Sequence, residues 1–132
     1  MLDSEGVLRI RAYTAGGALP VEGALVEIRG AEEENSTVVY SVLTDRDGIT
    51  EPIALPAPSL SYSLSPSPSE KPFALYDVDI SAEGYYPKRI VGVSVFSGIN
   101  SWQNANMIPL GSGAGDYPRG NVNAIIPENN SL

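Results

Sequence analysis

The chain has 132 residues, a length that suits one domain with a core of its own. A hydrophobic content of 42% and a charged content of 18% are typical of a globular protein. Because the sequence contains neither Cys nor His, it excludes disulfides, thiol nucleophiles, imidazole bases and Cys/His zinc sites.

The charge balance narrows the classes of partner. Sixteen acidic residues against eight basic ones give a net charge of -8. This charge disfavours nucleic acid as a partner, because binding to its backbone needs clustered Lys and Arg to displace counterions. The first ten residues hold two acids and no apolar run, so we expect neither a signal peptide nor a membrane span. The same repulsion disfavours anionic lipid surfaces and anionic wall polymers. Neutral glycans and other proteins therefore remain as partner classes, and the localisation stays open.

Short alternating segments between turn residues predict an antiparallel all-β fold, since 13 Gly and 11 Pro interrupt the chain too often for long helices. The alternation predicts strands over 7–13, 24–29, 38–44, 53–55 and 76–82. It predicts that the following side chains are buried: Ile10, Val26, Ile28, Val78 and Ile80. It predicts that the following are mostly exposed: Arg9, Arg11, Glu27, Asp77 and Asp79.

The connections carry weaker signals. The acidic run at 31–37 predicts a solvated loop. The sequence DRDG at 45–48 predicts a tight turn, because Asp bonds to nearby backbone and Gly accepts positive φ. A calcium loop is disfavoured, since the third acid and the closing Glu of an EF-hand are missing. The Ser/Pro-rich stretch 57–72 is expected to be extended around Leu60, Tyr62 and Leu64, and an exposed loop after them.

The C-terminal third predicts two further strands. The segments 88–91 and 93–96 are separated by Gly92, a position typical of a bulge. A loop is expected over 97–104 and a last strand over 106–110, where Pro109 indicates an edge or strand end. The domain organisation that follows is a lead over 1–5, a β-sandwich over 6–110 and a flexible Gly/Asn-rich tail over 111–132. An open barrel is the alternative architecture.

Three motifs carry a family resemblance: PVEGALVEI at 20–28, TDRDG at 44–48 and AEGY at 82–85. In this order and spacing they resemble the transthyretin-like, or carboxypeptidase regulatory-like, domain. The resemblance implies an all-β, seven-stranded transthyretin/prealbumin-like β-sandwich.

A narrower resemblance concerns the segments LSP at 64–66, PFALYD at 72–77, VFSG at 95–98 and NMIPL at 106–110. They are similar to a module of spore cortex-lytic and peptidoglycan-binding proteins of spore-forming bacteria. In those proteins the domain accompanies catalytic or wall-binding domains, which implies an accessory role. We expect no cofactor.

Two related chemistries are disfavoured by the residues present. The Lys–Asn isopeptide bond of pilin and adhesin domains would need a Lys on the first strand, where Arg9 and Arg11 stand. Transthyretin-related hydrolases rely on histidines, which are absent. Asp77 and Asp79 share a strand face and could form a carboxylate pair, but a solvated sheet face is the better explanation.

The single tryptophan gives the candidate binding site. An aromatic ring flanked by amides could stack on a neutral sugar, although a lone Trp more often closes the open end of a sandwich. The candidate ligand-binding residues are Trp102, Asn100, Gln103, Asn104, Tyr85 and Tyr86. We expect a non-catalytic accessory module that binds a neutral glycan or a partner protein; the alternatives are a building block that assembles through sheet edges and, third, a hydrolase working on carboxylates alone.

Overall fold

The computed structural model describes residues 2–59 and 72–111. In this part of the chain, eight strands form two four-stranded sheets that face each other. The strands are β1 (Ser4–Thr14), β2 (Leu19–Pro20), β3 (Leu25–Gly30), β4 (Val39–Leu43), β5 (Ile53–Ala57), β6 (Phe73–Ser81), β7 (Lys88–Phe96) and β8 (Asn100–Asn106). The expected β-sandwich is confirmed, whereas the expected count of seven strands is not; one of the eight is the two-residue β2.

The first sheet is built around β1. Strand β8 lies parallel to β1 along Val7–Tyr13. The opposite edge of β1 pairs antiparallel with β5 near its start and with β2 near its end. The second sheet has the antiparallel order β4-β3-β6-β7. The helical segments of the described residues are two 3-10 turns of three residues each, too short to cross a membrane.

The period-2 pattern predicted the core correctly. All five side chains expected inside are at most 1% exposed, and the alternation of β1 continues without a break from Gly6 to Thr14. The five charged side chains expected to be mostly exposed alternate with the core residues and lie on the outer faces, but all five are half-buried: Arg9, Arg11, Glu27, Asp77 and Asp79. Their neighbours on adjacent strands cover part of each side chain. A one-residue slip would have inverted both faces, so the register of β1, β3 and β6 is the predicted one.

The two sheets approach closely where β1 begins. A Cβ atom on Gly6 would stand 2.1 Å from the carbonyl oxygen of Phe96, at the end of β7. The Gly98 N–H donates to the Glu5 carbonyl, and the Val7 N–H donates to the Ile99 carbonyl. These contacts hold the turn between β7 and β8 against the start of β1, and β8 then pairs with the edge of β1 that β5 and β2 do not occupy.

The DRDG turn forms as the sequence predicts. Asp45 Oδ1 accepts the N–H groups of Asp47 and Ile49 at 2.8 and 3.1 Å, and Gly48 has a φ of 77°. The carboxylate is thus occupied by backbone donors of its own turn. The Gly92 bulge is confirmed as well: the β6–β7 register shifts between Tyr76 and Val78, opposite it.

The solvated loop expected over 31–37 is confirmed for Glu33, Glu34 and the residues at 36–37, which are exposed, but not for Asn35. This segment forms a 3-10 turn, and its Asn35 is completely buried. Asn35 accepts the Glu32 N–H at 2.9 Å and donates from Nδ2 to the Leu75 carbonyl at 3.0 Å, while Glu32 Oε1 accepts the Leu75 N–H. An acidic loop therefore clamps strand β6, because the polar groups at its base find backbone partners on that strand.

The C-terminal assignment is corrected too. Residues 100–106 are a strand rather than part of a loop over 97–104, and the segment after Asn106 makes one bridge, between Pro109 and Tyr85, instead of a strand. The polar composition of β8 hides its strand character, since this edge strand exposes most of its side chains. The predictions for Leu60, Tyr62, Leu64 and the tail fall outside the described residues, apart from Gly111.

Candidate functional site

The outer face of the first sheet gathers aromatic, guanidinium and amide groups. Strand β1 places Arg9, Arg11 and Tyr13 outward because their neighbours Ile10 and Ala12 are buried. The parallel register sets Trp102 beside Arg9, Asn104 beside Arg11 and Asn106 beside Tyr13. We call this surface the Trp102 face; its members are Arg9, Arg11, Tyr13, Asn100, Trp102, Asn104 and Asn106.

Trp102 is an exposed side chain and does not close an end of the sandwich. Its relative exposure is 52%, and it lies in the middle of β8. The guanidinium carbon of Arg9 lies 4.8 Å from the centroid of the indole ring, so a cation covers part of one ring face. The expectation that a lone Trp closes the open end of the sandwich is therefore wrong, and about half of this side chain is accessible to solvent.

Both arginines of the face are held in place by short contacts. Arg9 Nε donates to the Thr50 carbonyl at 3.2 Å, and an Nη atom of Arg11 donates to the Gly17 carbonyl at 3.2 Å. The Arg11 guanidinium carbon also lies 4.5 Å from the centroid of the Tyr13 ring. Each guanidinium thus lies over an aromatic ring and donates to one backbone oxygen, and these two contacts restrict the directions of its remaining N–H donors.

Three of the six predicted site residues belong to this face. Asn100, Trp102 and Asn104 alternate along β8 and are exposed. Gln103 occupies the opposite face of the strand, in register with the buried Ile10, and its side-chain amide donates to the Asn104 carbonyl.

Tyr85 and Tyr86 lie at the turn between β6 and β7, away from Trp102. The Tyr86 N–H donates to the Ile108 carbonyl, and Tyr85 bridges to Pro109. The four residues from Trp102 to Asn106 already extend roughly 13 Å along the strand, and these partners come after them. The structure therefore does not bring the tyrosine pair to the Trp102 face.

Sequence reasoning missed the part that β1 contributes to this face. The alternation shows that Arg9, Arg11 and Tyr13 share one side of a strand, and that signal was available. Their meeting with Trp102 depends on a parallel pairing between the first and last strands, which no local pattern indicates.

The carboxylates weighed as an acid/base pair serve other contacts. Asp79 forms an ion pair with Arg89 at 3.2 Å, and Asp77 Oδ1 accepts the Gly92 N–H at the bulge. No group of three or more His, Cys, Asp or Glu side chains within 2–59 and 72–111 is placed to hold a metal ion. These aspartates stabilise the β6–β7 pairing on the outer face of the second sheet.

Comparisons with known proteins add information on the fold. No known protein family matches the chain, and no curated protein matches its sequence. Among solved structures, the Bacillus anthracis TIE protein is 19% identical with a TM-score of 0.53, covering 81% of this chain and 17% of that protein.

Two dioxygenases of known structure are similar in fold at comparable TM-scores. Catechol 1,2-dioxygenase from Acinetobacter sp. ADP1 is 12% identical (TM-score 0.55), covering 93% of this chain and 58% of the enzyme. Hydroxyquinol 1,2-dioxygenase from Pseudomonas putida DLL-E4 is 11% identical (TM-score 0.54), covering 81% and 57%. The chain thus spans less than two thirds of each of these proteins, and likenesses at such identities show the fold alone, a β-sandwich.

Proposed function

We propose that this chain is a non-catalytic, transthyretin-like interaction module that binds a glycan through the Trp102 face, in an envelope or spore-cortex protein of a bacterium. The observation that carries the proposal is the exposed Trp102, aligned with Asn100 and Asn104 on the outer face of the first sheet. A half-exposed indole offers a surface for a sugar ring, and amides on both sides offer donors and acceptors for its hydroxyl groups.

The motifs of the family resemblance support the transthyretin-like part of this proposal. The segment 20–28 runs from the end of β2 into β3, 44–48 forms the turn before β5, and 82–85 lies in the turn between β6 and β7. The likeness to 17% of the TIE protein supports a role as one module of a longer protein.

The side-chain chemistry supports a non-catalytic role. The chain has no His or Cys, and the one carboxylate pair considered for acid/base work is engaged with Arg89 and the Gly92 N–H. The dioxygenase likeness is one of fold, and the imidazole ligands that suit iron are missing from this sequence.

Glycan binding can be tested by fluorescence, because Trp102 is the only tryptophan. We expect muropeptide fragments to change its emission, with weak binding of about -4 kcal/mol, near the millimolar range. Trp102→Ala should abolish binding in calorimetry. Tyr86→Ala is the matched control, since that aromatic residue is 53% exposed at a different place and should leave binding intact. Equal loss in both variants, or no binding by the wild type, would contradict the proposal.

A second candidate function is assembly through a sheet edge, and strand β4 favours it. The Gly30 N–H donates to Val38 and the Thr44 N–H to Ala24, so alternate residues of β4 face β3. Val39, Ser41 and Leu43 therefore direct their N–H and C=O groups to the free edge, and the two apolar side chains are 56% and 60% exposed. An uncharged apolar edge is a template for strand addition.

Assembly can be tested with one substitution on that edge. Because the Ser41 N–H points away from β3, Ser41→Pro removes an edge donor without breaking the β3–β4 ladder. If β4 mediates assembly, light scattering at rising concentration should show oligomers for the wild type and for Ser41→Thr, and monomers for Ser41→Pro. If the wild type stays monomeric at every concentration, self-assembly of this chain through β4 is excluded.

A further inference from the structure

Arg9 and Arg11 lack a carboxylate partner among the residues that the structure describes. Their contacts are one backbone oxygen and one aromatic ring each. The chain has 16 acidic and eight basic residues, and on the other sheet Arg89 is ion-paired with Asp79. Two unpaired cations on neighbouring outward positions of β1 make the Trp102 face locally positive.

No acidic residue is paired with either arginine across the strands of the first sheet. Their cross-strand neighbours on β8 are Trp102 and Asn104, both uncharged, and the bridge partner of Arg11 on the other side is Ile49. The outward acid of β1 is Glu5, four residues before Arg9 and thus roughly 13 Å along the strand. That distance exceeds the Debye length of about 8 Å at physiological salt. A nearer acid is Glu51, which follows the Thr50 that Arg9 contacts, and its carboxylate accepts the Tyr40 hydroxyl. Within the described residues the two guanidinium groups therefore have no carboxylate of their own, despite the net charge of -8.

The orientation of the guanidinium groups suits carboxylates. Each guanidinium lies over an aromatic ring, Trp102 or Tyr13, and its backbone contact uses a single N–H of the five that Arg carries. The remaining N–H pairs can bind a carboxylate through two parallel hydrogen bonds, which are stronger than neutral ones. The two arginines are roughly 6.6 Å apart along the strand, since they are separated by two residues.

We propose that the ligand of the Trp102 face is an acidic glycan, whose carboxylates pair with Arg9 and Arg11 while its sugar rings pack against the exposed aromatic surface. This inference rests on the proposed glycan-binding function and replaces the neutral glycan expected from total charge. A glycan is favoured over an acidic peptide because the face combines its cations with two aromatic rings and a row of three Asn amides.

The test compares ligands that differ in charge alone. The probes are peptidoglycan glycan strands with free lactyl carboxylates, the same strands after carbodiimide amidation, neutral chitohexaose, and poly-L-glutamate. With the full chain, calorimetry should show binding of the acidic strands that weakens as NaCl is raised, and loss of binding after amidation.

Variants then locate the contact. Arg9→Gln and Arg11→Gln should each weaken binding of the acidic strands about tenfold or more, because each removes a charge-assisted bidentate pair. Arg9→Lys keeps the charge but loses the planar fork, so it should also weaken binding. Arg46→Gln is the control: it removes the same charge from an exposed turn and should leave the affinity within about twofold. Melting temperatures of all variants show whether the fold is retained.

The outcomes separate this inference from the proposed function. If amidated strands and chitohexaose bind as well as the acidic strands, the glycan function stands and the acidic ligand is refuted. If poly-L-glutamate binds as tightly as the acidic strands, an acidic protein partner replaces the glycan. If no glycan binds under any condition, both the proposed function and this inference fail.

Discussion

Replacing Asn35 with Ala tests whether the acidic loop clamps strand β6. The side chain is fully buried, and its amide bridges the Glu32 N–H and the Leu75 carbonyl at 2.9 and 3.0 Å. Asn35→Ala removes both hydrogen bonds while leaving the backbone contacts of the 3-10 turn possible. If the loop were merely solvated, this substitution would have no measurable consequence.

The structure gives the expected magnitude. Each lost hydrogen bond contributes about 1 kcal/mol net to the free energy of unfolding. The vacated amide leaves a cavity of at least methyl size, which costs about 1 kcal/mol more. The sum of about 3 kcal/mol corresponds to a fall in melting temperature of roughly 10 °C for a domain of this size.

The assay is chemical denaturation followed by circular dichroism, with Ser36→Ala as the exposed control in the same turn. Asn35→Asp is a second test. Burial raises the pKa of the introduced carboxyl, so the loss in free energy of unfolding relative to the wild type should grow as the pH rises above the ordinary Asp pKa of about 4. A loss below about 0.5 kcal/mol for Asn35→Ala, the range of ordinary surface substitutions, would refute the clamp.

Three further predictions address the fold. Gly6→Ala should cost about 3 kcal/mol in chemical denaturation, because its Cβ would meet the rigid Phe96 carbonyl; an unchanged midpoint would show that the sheets do not approach there. Burial raises the pKa of Tyr76 above its ordinary value near 10, an effect that a hydrogen bond with Asn35 opposes and the charge of Glu32 reinforces. The stability that this gives is complete below about pH 10 and is lost as the pH rises above it. The free energy of unfolding of Tyr76→Phe should therefore fall less above pH 10 than that of the wild type, although at neutral pH the variant loses the 2.6 Å hydrogen bond to the Pro56 carbonyl. Parallel curves of stability against pH would contradict this. Calcium should leave the melting temperature unchanged, since backbone donors occupy the Asp45 carboxylate; a clear rise would overturn the turn assignment.

The sequence predicted the features that depend on neighbouring residues. Alternation placed Ile10, Val26 and Ile80 inside because each strand has one face against the other sheet. The DRDG turn and the Gly92 bulge were predicted because Asp and Gly have local conformational preferences that need no tertiary context.

What the sequence could not predict depends on distant partners. Strand β8 is polar, and its pairing partner β1 begins about 100 residues earlier in the chain, so its composition resembles that of a loop. The buried Asn35 was taken for a solvated residue because its acceptor, the Leu75 carbonyl, is 40 residues away. The same kind of long-range pairing unites Trp102 with Arg9, and so the candidate site was predicted only in the half that β8 supplies.

The central claim, that ligand binds on the Trp102 face, is tested most directly by NMR. Titration of the ¹⁵N-labelled chain with acidic glycan strands should shift the Trp102 indole N–H, the Arg9 and Arg11 Nε–H groups and the Asn104 side-chain amide in a saturable way. Tyr86 and the exposed edge of β4 should stay unperturbed. Shifts confined to the turn around Tyr86 or to β4, or no saturable shift at all, would contradict the account.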